Sequence, residues 1–285
     1  MIVDTDVPGL RLGTYQGHVA RRKAKFAEVE HAAKQIISHK GVLLHISAEE
    51  ADPLRADKVK LLKDAVSLII KYSHLPAAMH VYLTHTSGND SAGYVDSGKS
   101  GKTMYRMFLG ENVGKYRELN AEMPAEAHRE MRGGYGPGNG LRIVADQVYD
   151  KATFGKRKKL ILAAILHEFG HVLHAAVSPL LYLQQVEDIP LVNSKTASAE
   201  AITFHKRLAT LGKKVSFYGA KNPLEYVAEV FSGLLSGLSY DKDVWDAYLE
   251  AGGPPLPIRT RSTGKIALGD VKFRTLPSLV EHRPF

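Results

Sequence analysis

Residues 160–171 read LILAAILHEFGH. An apolar run leads straight into His167-Glu168-Phe169-Gly170-His171, and nothing before Gly170 opposes a helix. On a helix, His167 and His171 lie one turn apart on one face, so two neutral imidazoles can grip a single zinc ion. Glu168, beside the first of them, is placed to take a proton from a water activated at that ion. The bland alternative is a helix that happens to carry two surface histidines. The apolar run, which implies a buried setting, argues against it. The helix is expected over 157–176, and it needs a third ligand from elsewhere in the chain.

His174 is a poor candidate for that ligand. It lies seven residues after His167, which is roughly 10 Å along the axis of a straight helix, whereas zinc–nitrogen bonds are about 2 Å long. A packed, substrate-facing or supporting role suits it better. The pattern with a further histidine six residues after the second ligand also fails, since that position is Val177. Residues 218–231, YGAKNPLEYVAEVF, offer more. Asn222 followed by Pro223 reads as an N-cap with proline in the first turn. Glu225 and Glu229 then share one helical face. One carboxylate can complete a His2Glu site while the other hydrogen-bonds a ligand and orients it. Asn222-x-x-Glu225 is also a capping-box pattern, which would leave Glu229 as the ligand. Spacing leaves both assignments open.

HEFGH followed by YGAKNPLEYVAEVF resembles the catalytic domain of anthrax lethal factor and its relatives, which include the pro-pro endopeptidases. The matching stretch is about 160–235. The resemblance implies an α+β zincin fold of the gluzincin kind, with a small mixed sheet and an HExxH active-site helix. It implies one Zn2+ per chain held by His167, His171 and Glu225, with Glu168 as general base. Glu229 would be the carboxylate behind the ligands, and Tyr218 the hydroxyl that meets developing charge. The activity implied is a zinc-dependent endopeptidase, of the type used as a toxin or effector, acting on a protein or peptide substrate. A zinc amidase acting on cell-wall peptide would use the same groups, because a fold does not define its substrate.

Outside the motif, apolar spacing predicts helices over 24–39 and 56–73, and later over 197–211, 223–237 and 242–250. Strands are expected at 79–84, with Val81 and Leu83 on one face, and at 104–109 and 141–145. Residues 86–103 and the glycine-rich 133–140 read as loops, and 110–131 as helix-friendly. Helix, a few strands, then helices suggests α+β rather than alternating βαβ. The expected organisation is a helical arm over 1–50, a catalytic domain over 51–250 and a basic tail over 251–285. An extended peptide would lie along a sheet edge supplied by 141–145 or 104–109.

Composition narrows the alternatives. With 44% hydrophobic and 24% charged residues, the chain is neither disordered nor fibrous. The absence of cysteine excludes disulfide scaffolds, cysteine nucleophiles and thiolate metal sites. The start, MIVDTDVPGLRL, lacks the pattern of a secretory signal, and the apolar run at 160–166 is too short to span a bilayer. The net charge of +8 favours acidic partners in general. It is spread over clusters at 21–25 and 156–159 and over the C-terminal 259–285, which holds six basic against two acidic residues. A basic nucleic-acid-binding module is the non-enzymatic rival, but no recognition-helix or aromatic RNP pattern supports it, so no nucleic acid is expected. Residues 93–100, GYVDSGKS, satisfy the phosphate-loop pattern GxxxxGK[ST]. Their context is wrong, because that loop should leave a strand and open a helix.

Overall fold

The computed structural model describes residues 35–46, 55–76, 79–83, 92–97, 103–109, 151–216 and 218–270. Strands β1 (Gln35–His39) and β2 (Val42–Ile46) form an antiparallel hairpin. Its two-residue turn places Lys40 and Gly41 at φ of 50° and 83°, the positive values that a tight hairpin turn demands and that glycine tolerates best. The helix expected over 24–39 is therefore corrected at its end, since residues 35–39 are strand. The adjacent Ile36 and Ile37, which fit a helical stripe, here point to opposite sides of a sheet.

Helix α1 (Arg55–Tyr72) crosses from β2 to β3 (Met79–Leu83), which runs parallel to β2 with Leu44 beside Val81. One βαβ unit thus sits inside the fold. Strands β4 (Ala92–Ser97) and β5 (Thr103–Leu109) follow, giving a five-stranded mixed sheet in the order β1-β2-β3-β5-β4. Residues 92–97 correct the loop expected over 86–103. They also dispose of the phosphate-loop reading, because Gly93 to Ser97 pair along β5 instead of turning into a helix. The strand expected at 104–109 is present, but β5 is paired on both sides, with β3 and β4. It cannot serve as a docking edge; among the described strands the edges are β1 and β4. The segments 110–131, 133–140 and 141–145 lie outside the described residues, as do 24–34 and the basic cluster at 21–25.

The inner face of the sheet carries Val42, Leu44, Ile46, Met79, Val81, Leu83 and Met107, all buried. Against it pack α1, through Leu62, Ala65, Val66 and Ile69, and α2 (Lys151–Val177). The remaining helices are α3 (Pro179–Asn193), α4 (Ala199–Gly212), α5 (Pro223–Leu235) and α6 (Lys242–Glu250). A hairpin of β6 (Ile258–Thr260) and β7 (Ile266–Leu268) closes the described chain. No expected helix corresponds to α3, although Pro179 opens it at the position where proline suits a helix. The core crosses both expected domain boundaries: Val42, Leu44 and Ile46 share one cluster with Ala251, Leu256 and Ile266. Ile266 is held by backbone bonds to Tyr240. Among the described residues, no helix is long and apolar enough to cross a membrane.

Candidate metal centre

Among the described residues, α2 and α5 form the closest helix pair, and small residues make this possible. A Cβ on Gly170 would come within 2.9 Å of the Ala228 Cα, so only glycine allows the backbones this close. Nearby, Ser232 Oγ donates to the Ala163 carbonyl at 2.6 Å, a buried bond between the two helices. The start of α5 is set locally. Asn222 accepts the Glu225 N–H at 3.0 Å, and Pro223 occupies the first turn. Only the asparagine half of a capping box is used for capping, because the Glu225 carboxylate is turned toward α2.

There it meets both histidines. Glu225 Oε2 lies 3.1 Å from His167 Nε2 and 3.4 Å from His171 Nε2, and the two Nε2 atoms are 3.1 Å apart. Among the described residues these three form the one group of ligand atoms close enough to share an ion. An ion bonded at about 2.0–2.1 Å to tetrahedral ligands sets those ligands roughly 3.3 Å apart, so the triangle has the right size for zinc. Its chemistry agrees. His167 Nδ1 is 2.7 Å from Glu229 Oε1, which calls for the proton on Nδ1 and leaves the Nε2 lone pair facing the triangle. Electron-rich atoms this close repel one another unless a cation or protons lie among them. The donor set therefore fits a zinc ion. Burial alone would raise the Glu225 carboxyl, but the two histidines beside it, His171 above all, outweigh that and hold the group well below the usual carboxylate range.

Glu168 is buried at the same turn of α2, beside His167. The ring of Tyr218 meets His167 edge-on, with centroids 5.6 Å apart. Tyr218 stands on a turn closed by a Lys221 N–H to Tyr218 carbonyl bond of 3.0 Å. Gly219 lets this turn approach Glu229, since a Cβ would lie 3.3 Å from the Glu229 Cβ, and its N–H is held by Ser216 Oγ at 2.9 Å. Gly212, ending α4, lies against the Gly219 carbonyl so closely that a Cβ would come within 2.4 Å. His174 is absent from the ligand group. It is fully buried, packs edge-on against Tyr182 at 5.1 Å, and burial pushes its imidazole down to about 3, with His171 adding to the effect and a bond to Ala251 opposing it. His167, His171, Glu225, Glu229 and Tyr218 thus come together, and Glu168 is buried beside the first of them. Gly170, Gly212, Ser216 and Ser232, which hold them there, were not singled out. Gly170 lies inside HEFGH and Gly219 inside YGAKNPLEYVAEVF, but no spacing rule marks a glycine that a neighbouring backbone or side chain requires.

In comparisons with family models, curated proteins and solved structures, none matches this chain.

Proposed function

We propose that this chain is a zinc-dependent endopeptidase with a zincin-type active site. The observation that carries the reading is the convergence of His167 Nε2, His171 Nε2 and Glu225 Oε2 at zinc spacing, one residue from a buried carboxylate. The resemblance to the lethal factor family supports the same assignment. His167, His171 and Glu225 would hold the ion, which would polarise the scissile carbonyl and make an attacking water acidic near neutral pH. Glu168 accepts the proton of that water and hands it to the leaving amine. The Tyr218 hydroxyl donates to the carbonyl oxygen as it gains charge. Glu229 keeps the His167 ring in the orientation its ligand role needs.

A peptide is favoured as substrate by the position of β4. This strand is an edge among the described strands and packs against α2, so an extended chain added there would run past the ligand helix. This replaces the edge expected at 104–109, since that strand is paired on both sides. The decisive variant is Glu168→Ala. Zinc content is expected to stay at about one ion per chain, while hydrolysis of a casein or mixed-peptide substrate falls by about 10²–10⁴-fold. Undiminished hydrolysis with zinc retained would overturn the mechanism.

A further inference from the structure

The turn 218–221 carries a charge next to the group that would meet the reacting carbonyl. Lys221 Nζ sits 3.7 Å from the centroid of the Tyr218 ring, a distance at which the cation is attracted to the ring face. The same ring meets His167 of α2 at 5.6 Å, so the Tyr218 ring has the lysine ammonium and the histidine imidazole as neighbours. The backbone bond from Lys221 to the Tyr218 carbonyl fixes the spacing of the two side chains. The lysine is exposed, yet its ammonium is desolvated enough to be pushed below its usual range, with Glu225 and Glu229 opposing that shift. A cation held in such a place interacts more strongly with an aromatic face than one surrounded by water.

We infer that Lys221 is a positioning residue that acts through Tyr218, clamping the phenol ring over the ligand cluster and strengthening its O–H as a donor. The inference rests on the peptidase reading for its consequence, but the clamp itself is a property of the folded chain. A positive charge over one face of a phenol draws electron density from the ring. The hydroxyl then donates more strongly to an oxygen that is gaining charge, with no change of protonation. The ordering also matters, since a donor helps most when already aimed at the place where charge develops.

Three substitutions separate this role from packing. Lys221→Met keeps the length and apolar stem but removes the charge. Lys221→Arg keeps a cation that stacks on aromatic faces. Tyr218→Phe removes the hydroxyl the clamp would act on. In zinc-loaded full-length protein acting on casein-derived peptides, Lys221→Met is expected to lower kcat by about five- to thirtyfold with KM nearly unchanged. Lys221→Arg should restore most of the loss, and Lys221→Met should add nothing in the Tyr218→Phe background. An equal loss in that background, or failure of arginine to rescue, would overturn the inference.

A second readout needs neither metal nor substrate. In metal-free protein labelled at the tyrosine ring carbons, the Tyr218 resonance is expected to move in Lys221→Met and to hold its place in Lys221→Arg. An unmoved resonance in Lys221→Met refutes the clamp even if hydrolysis is present. A moved resonance in a protein that hydrolyses nothing leaves the clamp standing and sinks the peptidase reading instead.

Discussion

His167 and His171 hold their Nε2 atoms 3.1 Å apart, and His45 and His80 hold Nε2 and Nδ1 2.9 Å apart. The first pair sits on one helix and the second on neighbouring parallel strands. On the helix the ring planes cross at 89°, and both nitrogens face a carboxylate oxygen. On the sheet the planes are 15° apart, and His45 stacks on Tyr82 with centroids 4.4 Å apart. Nearly parallel imidazoles joined nitrogen to nitrogen can share one proton, with one ring donating and the other accepting. Crossed imidazoles with a carboxylate at the third corner make a socket. Proximity of histidines is therefore a poor sign of a metal site. Ring angle and a third donor decide.

The sharpest way to break this comparison is to remove that third donor. Glu225→Ala is expected to lose most of its zinc on dialysis, while a His45→Ala/His80→Ala double variant keeps about one ion per chain by elemental analysis. Equal loss in both would mean the two pairs are not different in kind. Glu229→Gln removes only the acceptor behind His167, a support the strand pair does not share. Competition with a chelating dye should show zinc affinity lowered by about 10–100-fold. Gly170→Ala leaves every ligand in place and forces α2 and α5 apart. The expected cost is about 1–3 kcal/mol in denaturant unfolding, with weakened zinc binding. An unchanged midpoint would show that the pair does not depend on that contact.

A third histidine completes the series. His174 is buried with its folded-state value at about 3, below the ordinary 6.5. A base whose folded value is lowered contributes its full stability above the unfolded value, and that contribution is lost as pH falls from 6.5 toward 3. Between pH 7 and pH 5 the loss is about 2 kcal/mol. The unfolding free energy from urea titration should fall by that amount in wild type relative to His174→Leu over this range. Parallel curves would show that His174 is not kept neutral by the fold.

The helix carrying HEFGH was legible because that motif couples chemistry to a helical period, and the start of α5 because Asn222 and Pro223 announce it. Spacing leaves Glu225 and Glu229 open; the fold brings Glu225 to the Nε2 atoms and Glu229 to Nδ1. The sheet was harder to read. Its hairpin turn is Lys40-Gly41, without the asparagine or aspartate that usually marks such turns. Ile36 is 60% exposed on β1, so that strand lacks the clean alternation that betrays a half-buried strand. β4 is spelled AGYVDS, a composition that reads as loop and becomes strand only because β5 pairs with it. The supporting glycines are invisible to pattern rules because their role lies in what the neighbouring backbone, not the side chain, requires.

The triangle of His167, His171 and Glu225 has a consequence beyond chemistry. Its corners come from helices separated by the whole of α3 and α4, in a chain with no cysteine. An ion shared among them is a covalent-like staple that closes this entire stretch into a ring. By the same loop-entropy argument that applies to a disulfide, such a closure restricts the unfolded chain by on the order of 4 kcal/mol. A bound ion would then supply the tie that a thiol-free protein otherwise lacks, and chelation would loosen the whole helical half.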